Sequence, residues 1–294
     1  MDNEEVSCGF CQRKKGDSVM KDYGRNHKRF EELQLRDDFM FGKVMQDEGL
    51  CKRTLEILLG IEIEAIEYPE TQKTINITEQ GKSVRLDVYV ADNMNTVYNA
   101  EMQQKGDGNA LEELPGRSRY YQGMIDLNLI EKGQPYTVLN RSYVIFICTF
   151  DPFGKGLYQY SFQYLCREMP GLVLEDGTTK LFFNTKGNVD KASEDLRQLL
   201  RYLETNEPGN AFTETLDQKV EGIRRSEKWR REYMKELLHD FDVREEGRRE
   251  GREEGREEVY RMIQLLAQQN RVDDIVKAAS DAAYQQKLFE ELEL

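Results

Sequence analysis

Apolar and polar residues alternate most clearly between residues 84 and 103, a pattern that predicts two β-strands joined by a polar turn. Even-numbered positions such as Val88 and Met102 are apolar. Because successive side chains of a strand point to opposite faces, these positions predict one continuous core face. Asp87 and Glu101 have odd numbers, so the same alternation places both carboxylates on the other face.

The length of the turn sets the pairing of these two acidic residues. Two odd-numbered residues lie opposite each other in an antiparallel pair only if the loop between the strands has an odd number of residues. A loop of Asn93, Met94 and Asn95 meets this condition and puts Asp87 directly across from Glu101. Directly opposed Cβ atoms are roughly 4.5–5.5 Å apart, where like charges destabilise the sheet.

A divalent cation held by both carboxylates would remove this repulsion. Mg²⁺ prefers one or two carboxylates together with water and phosphate oxygens. Gln103 points to the same side as Glu101 and has the chemistry to orient water or a phosphate. Spacing alone leaves a second interpretation open, namely an ordinary hairpin on which Asp87 and Glu101 are simply solvated.

Periodicity elsewhere predicts the elements around this hairpin. Apolar residues at helical spacing predict two helices between Asp37 and Gly60, and a further helix is expected at 117–131. The β-branched and aromatic run at 143–148 is typical of a central strand covered on both faces. Strands at 157–163 and 180–184 complete an α/β sandwich.

From Asp190 onward the pattern is helical and unusually polar. It includes an imperfect four-residue repeat that contains Gly247, Gly251 and Gly255. Each Glu–Arg pair stabilises a helix by roughly 0.2–0.5 kcal/mol and each glycine costs roughly 0.8–1.0 kcal/mol relative to alanine, so the two effects nearly cancel. We expect a bendable helix here, followed at 259–294 by helices that pack against the body or against another subunit.

These segments divide the 294 residues into four parts. We expect a flexible N-terminal arm at 1–30, an α/β domain at 31–189, a helical region at 190–240, and a Glu/Arg/Gly-rich helix with C-terminal helices at 241–294. Cys8 and Cys11 in the arm have the spacing of half a zinc site, but a second pair is missing, and we favour a flexible arm.

Composition limits the cellular setting and the partners. Five cysteines without a disulfide-like spacing, and the lack of an apolar secretory segment, favour a reducing cytoplasm. The longest apolar run, 143–148, is too short to span a bilayer. A net charge of −13 argues against holding nucleic acid by bulk electrostatics. Basic residues still attract DNA phosphates within about 8–10 Å, beyond which salt screens their charge. The local basic residues are Arg85, Lys105, Arg117 and Arg119. We therefore expect weak, salt-sensitive DNA binding.

Five short motifs occur in a recognisable order. They are Asp-Asp-Phe-Met-Phe at 37–41, Arg-Leu-Asp-Val-Tyr at 85–89, Asn-Ala-Glu-Met-Gln at 99–103, Gly-Arg-Ser-Arg-Tyr-Tyr at 116–121 and Lys-Gly-Gln-Pro-Tyr at 132–136. In this order the chain resembles the PD-(D/E)XK nuclease superfamily, and within it the bacterial family of recombination-promoting nucleases and transposases. The likeness runs from about Leu33 to Phe183, and many members also carry a helical tail rich in arginine and glutamate.

This resemblance implies a fold, an activity and a set of site residues. The implied fold is a restriction-endonuclease-like mixed β-sheet flanked by helices, with an α-helical C-terminal extension. The implied activity is a Mg²⁺- or Mn²⁺-dependent deoxyribonuclease that cuts DNA and could promote recombination. Its metal ligands would be Asp87 and Glu101, its catalytic set would add Gln103 and Asp38, and its substrate-binding residues would be Arg117, Tyr121 and Lys105.

Several alternatives remain open at this point. Asp37 or Asp38 could simply cap the first helix, and Tyr121 shares helical spacing with Met124 and Ile125 and could simply pack. A helix N-terminus near Arg117 could hold a phosphate.

The chain also departs from the superfamily pattern, because Gln103 stands where most members have lysine and Gly42 interrupts the early helix motif. The alternative function is therefore an inactive nuclease-fold protein that acts as a DNA-associated or protein-interaction module. In that case the C-terminal helices would mediate a homo-oligomer. A serine or cysteine hydrolase has little support, because neither His27 nor His239 lies in the context of a base beside a nucleophile.

Overall fold

The computed structural model describes residues 28–68, 74–75, 84–85, 87–104, 110–292 and 294. Cys8, Cys11 and nearly all of the predicted N-terminal arm lie outside these residues. The chain divides into two compact units, Met1–Trp229 and Arg230–Leu294. The predicted four-part division remains a prediction.

The first unit contains a mixed β-sheet. Its strands are β1 (Ile66–Glu67), β4 (Val88–Asp92), β5 (Val97–Gln103), β6 (Ser142–Cys148), β7 (Gln159–Phe162) and β8 (Thr178–Asn184). They follow the order β1-β4-β5-β6-β8-β7. Two short strands, β2 (Thr74–Ile75) and β3 (Val84–Arg85), form a separate antiparallel pair.

Strand β6 lies in the middle of the sheet, as its continuous apolar run predicted. It pairs in parallel with β5 on one side and with β8 on the other. The remaining neighbours, β1 with β4, β4 with β5 and β7 with β8, are antiparallel. The sheet is therefore mixed, and its flanking helices complete the predicted α/β fold.

The predicted hairpin register is confirmed. Val88 pairs with Ala100 and Ala91 with Val97, so the same register puts the residue before Val88 opposite Glu101. The connecting loop is the predicted three-residue segment at 93–95, and Asn95 adopts a left-handed φ of 60°, as three-residue hairpin loops commonly require. The first strand is shorter than predicted, because β3 and β4 are separate strands.

Helices flank the sheet. They are α1 (Asp38–Val44), α2 (Glu48–Leu59), α3 (Ala110–Leu129), α4 (Glu194–Thr205), α5 (Ala211–Arg224) and the start of α6 (Glu227–Gln268). Asp47 caps α2 by accepting a hydrogen bond from the backbone N–H of Leu50, and Gly60 ends it in a left-handed conformation. Helix α1 contacts β5 and α5.

Both faces of the hairpin are buried, whereas the alternation predicted a single core face. Helix α3 covers the odd-numbered face, and a core cluster there joins its Tyr121 and Ile125 to Val97 of β5 and Phe146 of β6. The even-numbered residues of β5 are buried as well. Glu101 is consequently only 3% exposed, which excludes the interpretation that it is solvated on a free surface.

Helix α3 begins seven residues earlier than the predicted helix at 117–131. Pro115 lies inside the helix, and its carbonyl accepts a hydrogen bond from the hydroxyl of Ser118. Arg117 is therefore about two turns into the helix, and the prediction that it lies at a helix N-terminus is wrong. Residues 110–115 are thus helical as well, and residues 105–109 lie outside the described residues.

The second unit consists of the rest of α6 with α7 (Val272–Ala278) and α8 (Ala282–Glu291). Helix α6 continues through all three glycines of the repeat. The end of α6 packs against the two short helices through Met262, Leu266, Ala278 and Leu288. These helices thus pack on one another, and their packing against another subunit stays a prediction. Among the described residues, no helix combines the length and apolar character needed to cross a bilayer.

Candidate active site

Asp87 and Glu101 meet where β4 begins beside β5. The backbone N–H of Asp87 donates a hydrogen bond of 3.1 Å to Oε1 of Glu101. The Asp87 carboxylate in turn accepts, at its Oδ2, a hydrogen bond of 3.3 Å from the backbone N–H of Met102. The backbone of the opposite strand therefore holds each acidic side chain. These two residues are the pair that the length of the turn predicted.

Burial changes the acidity of Glu101. Removal of this carboxylate from water raises its pKa from the ordinary value of 4.5 to about 7. The Asn99 amide, the Asp87 backbone N–H and the positive charge of Arg117 oppose this rise, while the charge of Asp38 adds to it. A carboxyl group with a pKa near neutrality, beside a second carboxylate, is typical of functional sites.

Gln103 and Arg117 are joined by their side chains. Nη1 of Arg117 donates a hydrogen bond of 2.7 Å to Oε1 of Gln103, and Nε2 of Gln103 donates one of 2.6 Å to the carbonyl of Met102. Nη2 of Arg117 donates a further hydrogen bond of 2.8 Å to the hydroxyl of Tyr121. Three residues predicted from two separate motifs therefore form one hydrogen-bonded group.

The surroundings keep Arg117 charged beside the carboxylates. Burial by itself would lower the pKa of Arg117, but the hydrogen bond with Tyr121 and the charges of Glu101 and Asp87 raise it. The guanidinium lies over the rings of Tyr121 and Phe146, 5.4 and 5.7 Å from their centroids. Tyr121 thus packs in the core, as one alternative held, and also contacts Arg117.

Asp38 is the first residue of α1 and is exposed. Its charge contributes to the raised pKa of Glu101, so the helix brings it towards the carboxylate pair. Gly42 of the same helix faces the carbonyl of Asp87, since a Cβ at that position would lie 3.5 Å from this oxygen.

Asp37 occupies the N-cap position of α1 but makes no side-chain cap hydrogen bond. It accepts hydrogen bonds from the backbone N–H of Gln34 and from Nε2 of Gln104, each 2.7 Å long. Gln104 follows β5 directly, so this contact ties the start of α1 to the end of the strand that carries Glu101.

The donor set fits a hard divalent cation. Within the described ranges, no group of three or more His, Cys, Asp or Glu side chains could hold a metal ion. A pair of carboxylates is nevertheless sufficient for Mg²⁺, which commonly fills its remaining positions with water and substrate oxygens. Lys105, the remaining predicted site residue, lies outside the described residues.

Asn99 is the site residue that the sequence reasoning missed. Its Nδ2 donates hydrogen bonds of 3.0 Å to Oε1 of Glu101 and 3.1 Å to the carbonyl of Val88. The available signal was a polar residue two positions before Glu101 on the same face of the strand.

One comparison with known proteins identifies a family. A family model described as a PD-(D/E)XK nuclease family transposase matches residues 37–236. This range includes the carboxylate pair, helix α3 and the whole mixed sheet. Neither the curated proteins nor the solved structures contain a significant match to the chain.

Proposed function

Because the chain belongs to the PD-(D/E)XK nuclease family transposases, we propose that it is a metal-dependent DNA endonuclease that hydrolyses phosphodiester bonds. The observation that carries this proposal is the pair formed by Asp87 and Glu101, in which each carboxylate accepts a backbone hydrogen bond from the opposite strand. Such a pair is costly to bury without a cation and well suited to hold one.

Asp87 and Glu101 would hold a Mg²⁺ or Mn²⁺ ion, in keeping with the divalent metals that PD-(D/E)XK nucleases usually use. When bound, such an ion lowers the pKa of water and stabilises negative charge on a phosphodiester. The fixed orientation of both carboxylates supports this role, because a metal site needs ligands that do not have to reorganise. Asp38 would assist from α1, where its negative charge adds to the attraction for a cation.

Arg117 would bind a phosphate oxygen of the DNA. Its guanidinium is planar and permanently charged, and such a group suits phosphate recognition. Gln103 and Tyr121 fix it through two separate nitrogens, so Gln103 would help to orient water and phosphate together with Arg117. Lys105 would add a further positive charge for the DNA backbone.

The cellular role extends this proposal. The DNA cleavage could promote recombination, and the predicted compartment is the cytoplasm. With a net charge of −13, non-specific attraction to DNA would come from a few local basic residues. DNA binding is accordingly expected to be weak and to fall as salt rises.

The homo-oligomer predicted for the C-terminal helices is also a proposal. In α6, an arginine directly follows each glycine of the repeat, and a glutamate directly precedes it. The arginines are Arg248, Arg252 and Arg256, and the glutamates are Glu246, Glu250 and Glu254. At 3.6 residues per turn these rows flank the glycines on opposite sides. Two parallel copies related by a two-fold axis would set each arginine row against a glutamate row, whereas antiparallel copies would set arginine against arginine.

Cleavage of supercoiled plasmid tests the nuclease proposal. We expect nicking by the full chain with Mg²⁺ or Mn²⁺ and none with EDTA, and Asp87→Asn should lower the rate by at least about 10²-fold if that carboxylate holds the ion. Asp92→Asn, at the other end of β4, is a matched control. Its carboxylate binds the turn amides of Met94 and Thr96, and its rate should match that of the unaltered protein.

Equal nicking by the unaltered protein and Asp87→Asn would show that the activity does not come from this site. DNA binding with no metal-dependent nicking under any of these conditions would favour the inactive interaction module instead.

A further inference from the structure

Asn99 connects the two strands at the carboxylate pair. Its amide nitrogen donates one hydrogen bond to Glu101 and a second to the carbonyl of Val88, the residue that follows Asp87. The Asn99 side chain therefore contacts the candidate metal ligand Glu101 on β5 and the first residue of β4, next to the candidate metal ligand Asp87. Asn99 is fully buried.

The orientation of this amide follows from its neighbours. Both groups that it contacts, a carboxylate oxygen and a carbonyl oxygen, are acceptors, so only the NH₂ end can face them. Oε1 of Glu101 receives this hydrogen bond and also the one from the Asp87 backbone. Two donors on one oxygen restrict rotation of the carboxylate, so its other oxygen has a defined direction.

The oxygen of the Asn99 amide lowers the stability of the fold. Oδ1 of Asn99 is buried and has no hydrogen-bond partner among the described residues. A buried acceptor without a partner destabilises a protein, and an apolar residue of similar size would avoid that cost. Residues that break a stability rule in this way are typical of functional sites.

We propose that Asn99 is a positioning residue that holds the Glu101 carboxylate in the orientation needed to bind a divalent cation. This inference depends on the proposed function, since it concerns the same site. Residues that orient a metal ligand usually affect metal affinity itself. The inference therefore predicts a binding defect that can be measured without DNA.

The test is Mn²⁺ binding to the full chain, measured by electron paramagnetic resonance of free Mn²⁺ at one fixed pH. We expect Asn99→Leu to raise the dissociation constant by roughly 10- to 100-fold. Asn99→Thr, which suits a β-strand and also lacks the amide, should weaken binding as well and provides a second variant if the leucine protein does not fold. Thermal unfolding of each variant verifies the fold.

Gln122→Leu is the matched control. Gln122 is a buried amide in α3 whose Nε2 likewise donates to two acceptors, Asp126 and Ser142, and whose Oε1 also has no partner among the described residues. Losing this amide should leave the Mn²⁺ dissociation constant unchanged. In plasmid nicking, Asn99→Leu should lower kcat at a fixed Mn²⁺ concentration while the KM for DNA stays the same.

The outcomes separate this inference from the function on which it depends. If Glu101→Gln abolishes Mn²⁺ binding but both Asn99 variants bind like the unaltered protein, the role of Asn99 is overturned and the metal site stands. If the unaltered protein binds no Mn²⁺, or if Glu101→Gln binds it normally, the proposed metal site fails and this inference fails with it.

Discussion

The backbone N–H of Asp87 donates a hydrogen bond to Oε1 of Glu101, so one acidic residue fixes the side chain of the other. The pairing register makes them direct neighbours across an antiparallel pair of strands. A displacement of one strand against the other would therefore break both hydrogen bonds that hold the carboxylates. This coupling is the structural basis for treating the two residues as one binding unit.

The stability of the metal-free protein should depend on pH through Glu101. Its pKa is about 7 in the folded protein and 4.5 ordinarily, so the folded state binds the proton more tightly. This stabilisation is fully present below pH 4.5 and is lost as the pH rises through about 7. The full effect corresponds to roughly 3 kcal/mol in the free energy of unfolding.

Urea unfolding at several pH values between 4.5 and 8 measures this dependence. Glu101→Gln keeps the shape of the side chain without a titrating group, and its stability should fall less over this range. An identical pH profile for the variant and the unaltered protein, both free of metal, would refute the raised pKa. Added Mn²⁺ should stabilise the unaltered protein most at the high-pH end, where Glu101 is ionised.

Replacement of Arg117 should reduce cleavage even when its charge is kept. Arg117→Lys cannot donate to Gln103 and Tyr121 from two nitrogens at once. Loss of one positioned donor costs about 10²-fold in kcat in comparable sites, and we expect a loss of that size in plasmid nicking. Arg119→Lys, an exposed neighbour on α3, is the control, and an equal effect in both variants would exclude a specific role for Arg117.

Binding to DNA should depend only moderately on salt. The four basic residues predicted to act on DNA, Arg85, Lys105, Arg117 and Arg119, would give a slope of about −3 to −4 in a plot of log K against log salt concentration. Fluorescence anisotropy with a labelled duplex, in Ca²⁺ to prevent cleavage, measures the slope. A slope near −10 would indicate a much larger basic surface than this site contains.

The parallel arrangement of α6 can be tested by cross-linking. In a background with Cys8, Cys11 and Cys166 changed to serine, Gly247→Cys and Gly251→Cys should each form a disulfide-linked dimer, because parallel copies bring equivalent residues together. An antiparallel pair centred on Gly251 would cross-link only the second variant. A monomeric mass by light scattering at all protein concentrations would contradict self-association altogether.

The sequence was sufficient to predict the hairpin and the centre of the sheet. Alternation and an odd loop length determine which residues face each other, so the Asp87–Glu101 pairing followed from parity alone. Strand β6 was equally clear, since a short, continuous β-branched and aromatic run is typical of a strand covered on both faces. Both signals are local and need no knowledge of the rest of the chain.

The covering of the odd-numbered face could not be predicted in the same way. Parity shows which residues share a face but not which later element packs on it, and here α3 covers the face that also bears Glu101. Helix α3 begins seven residues before the predicted start and accommodates Pro115. The contact between Arg117 and Gln103 depends on that helix and was therefore missed.

Asn99 shows a different limit. Its position two residues before Glu101 was visible in the sequence, but an amide on a face that could have been exposed to solvent carries no particular meaning. The amide gains a role only because the strand is buried there, where its hydrogen bond holds the Glu101 carboxylate.

Anomalous diffraction from crystals grown with Mn²⁺ shows whether Asp87 and Glu101 hold a metal ion together. We expect one anomalous peak at the start of β4, from an ion bonded to a carboxylate oxygen of Asp87 and to one of Glu101, and we expect the peak to be lost in Asp87→Asn. A structure at high Mn²⁺ concentration without a peak there, or with the ion bound to other residues, would contradict the proposed metal site.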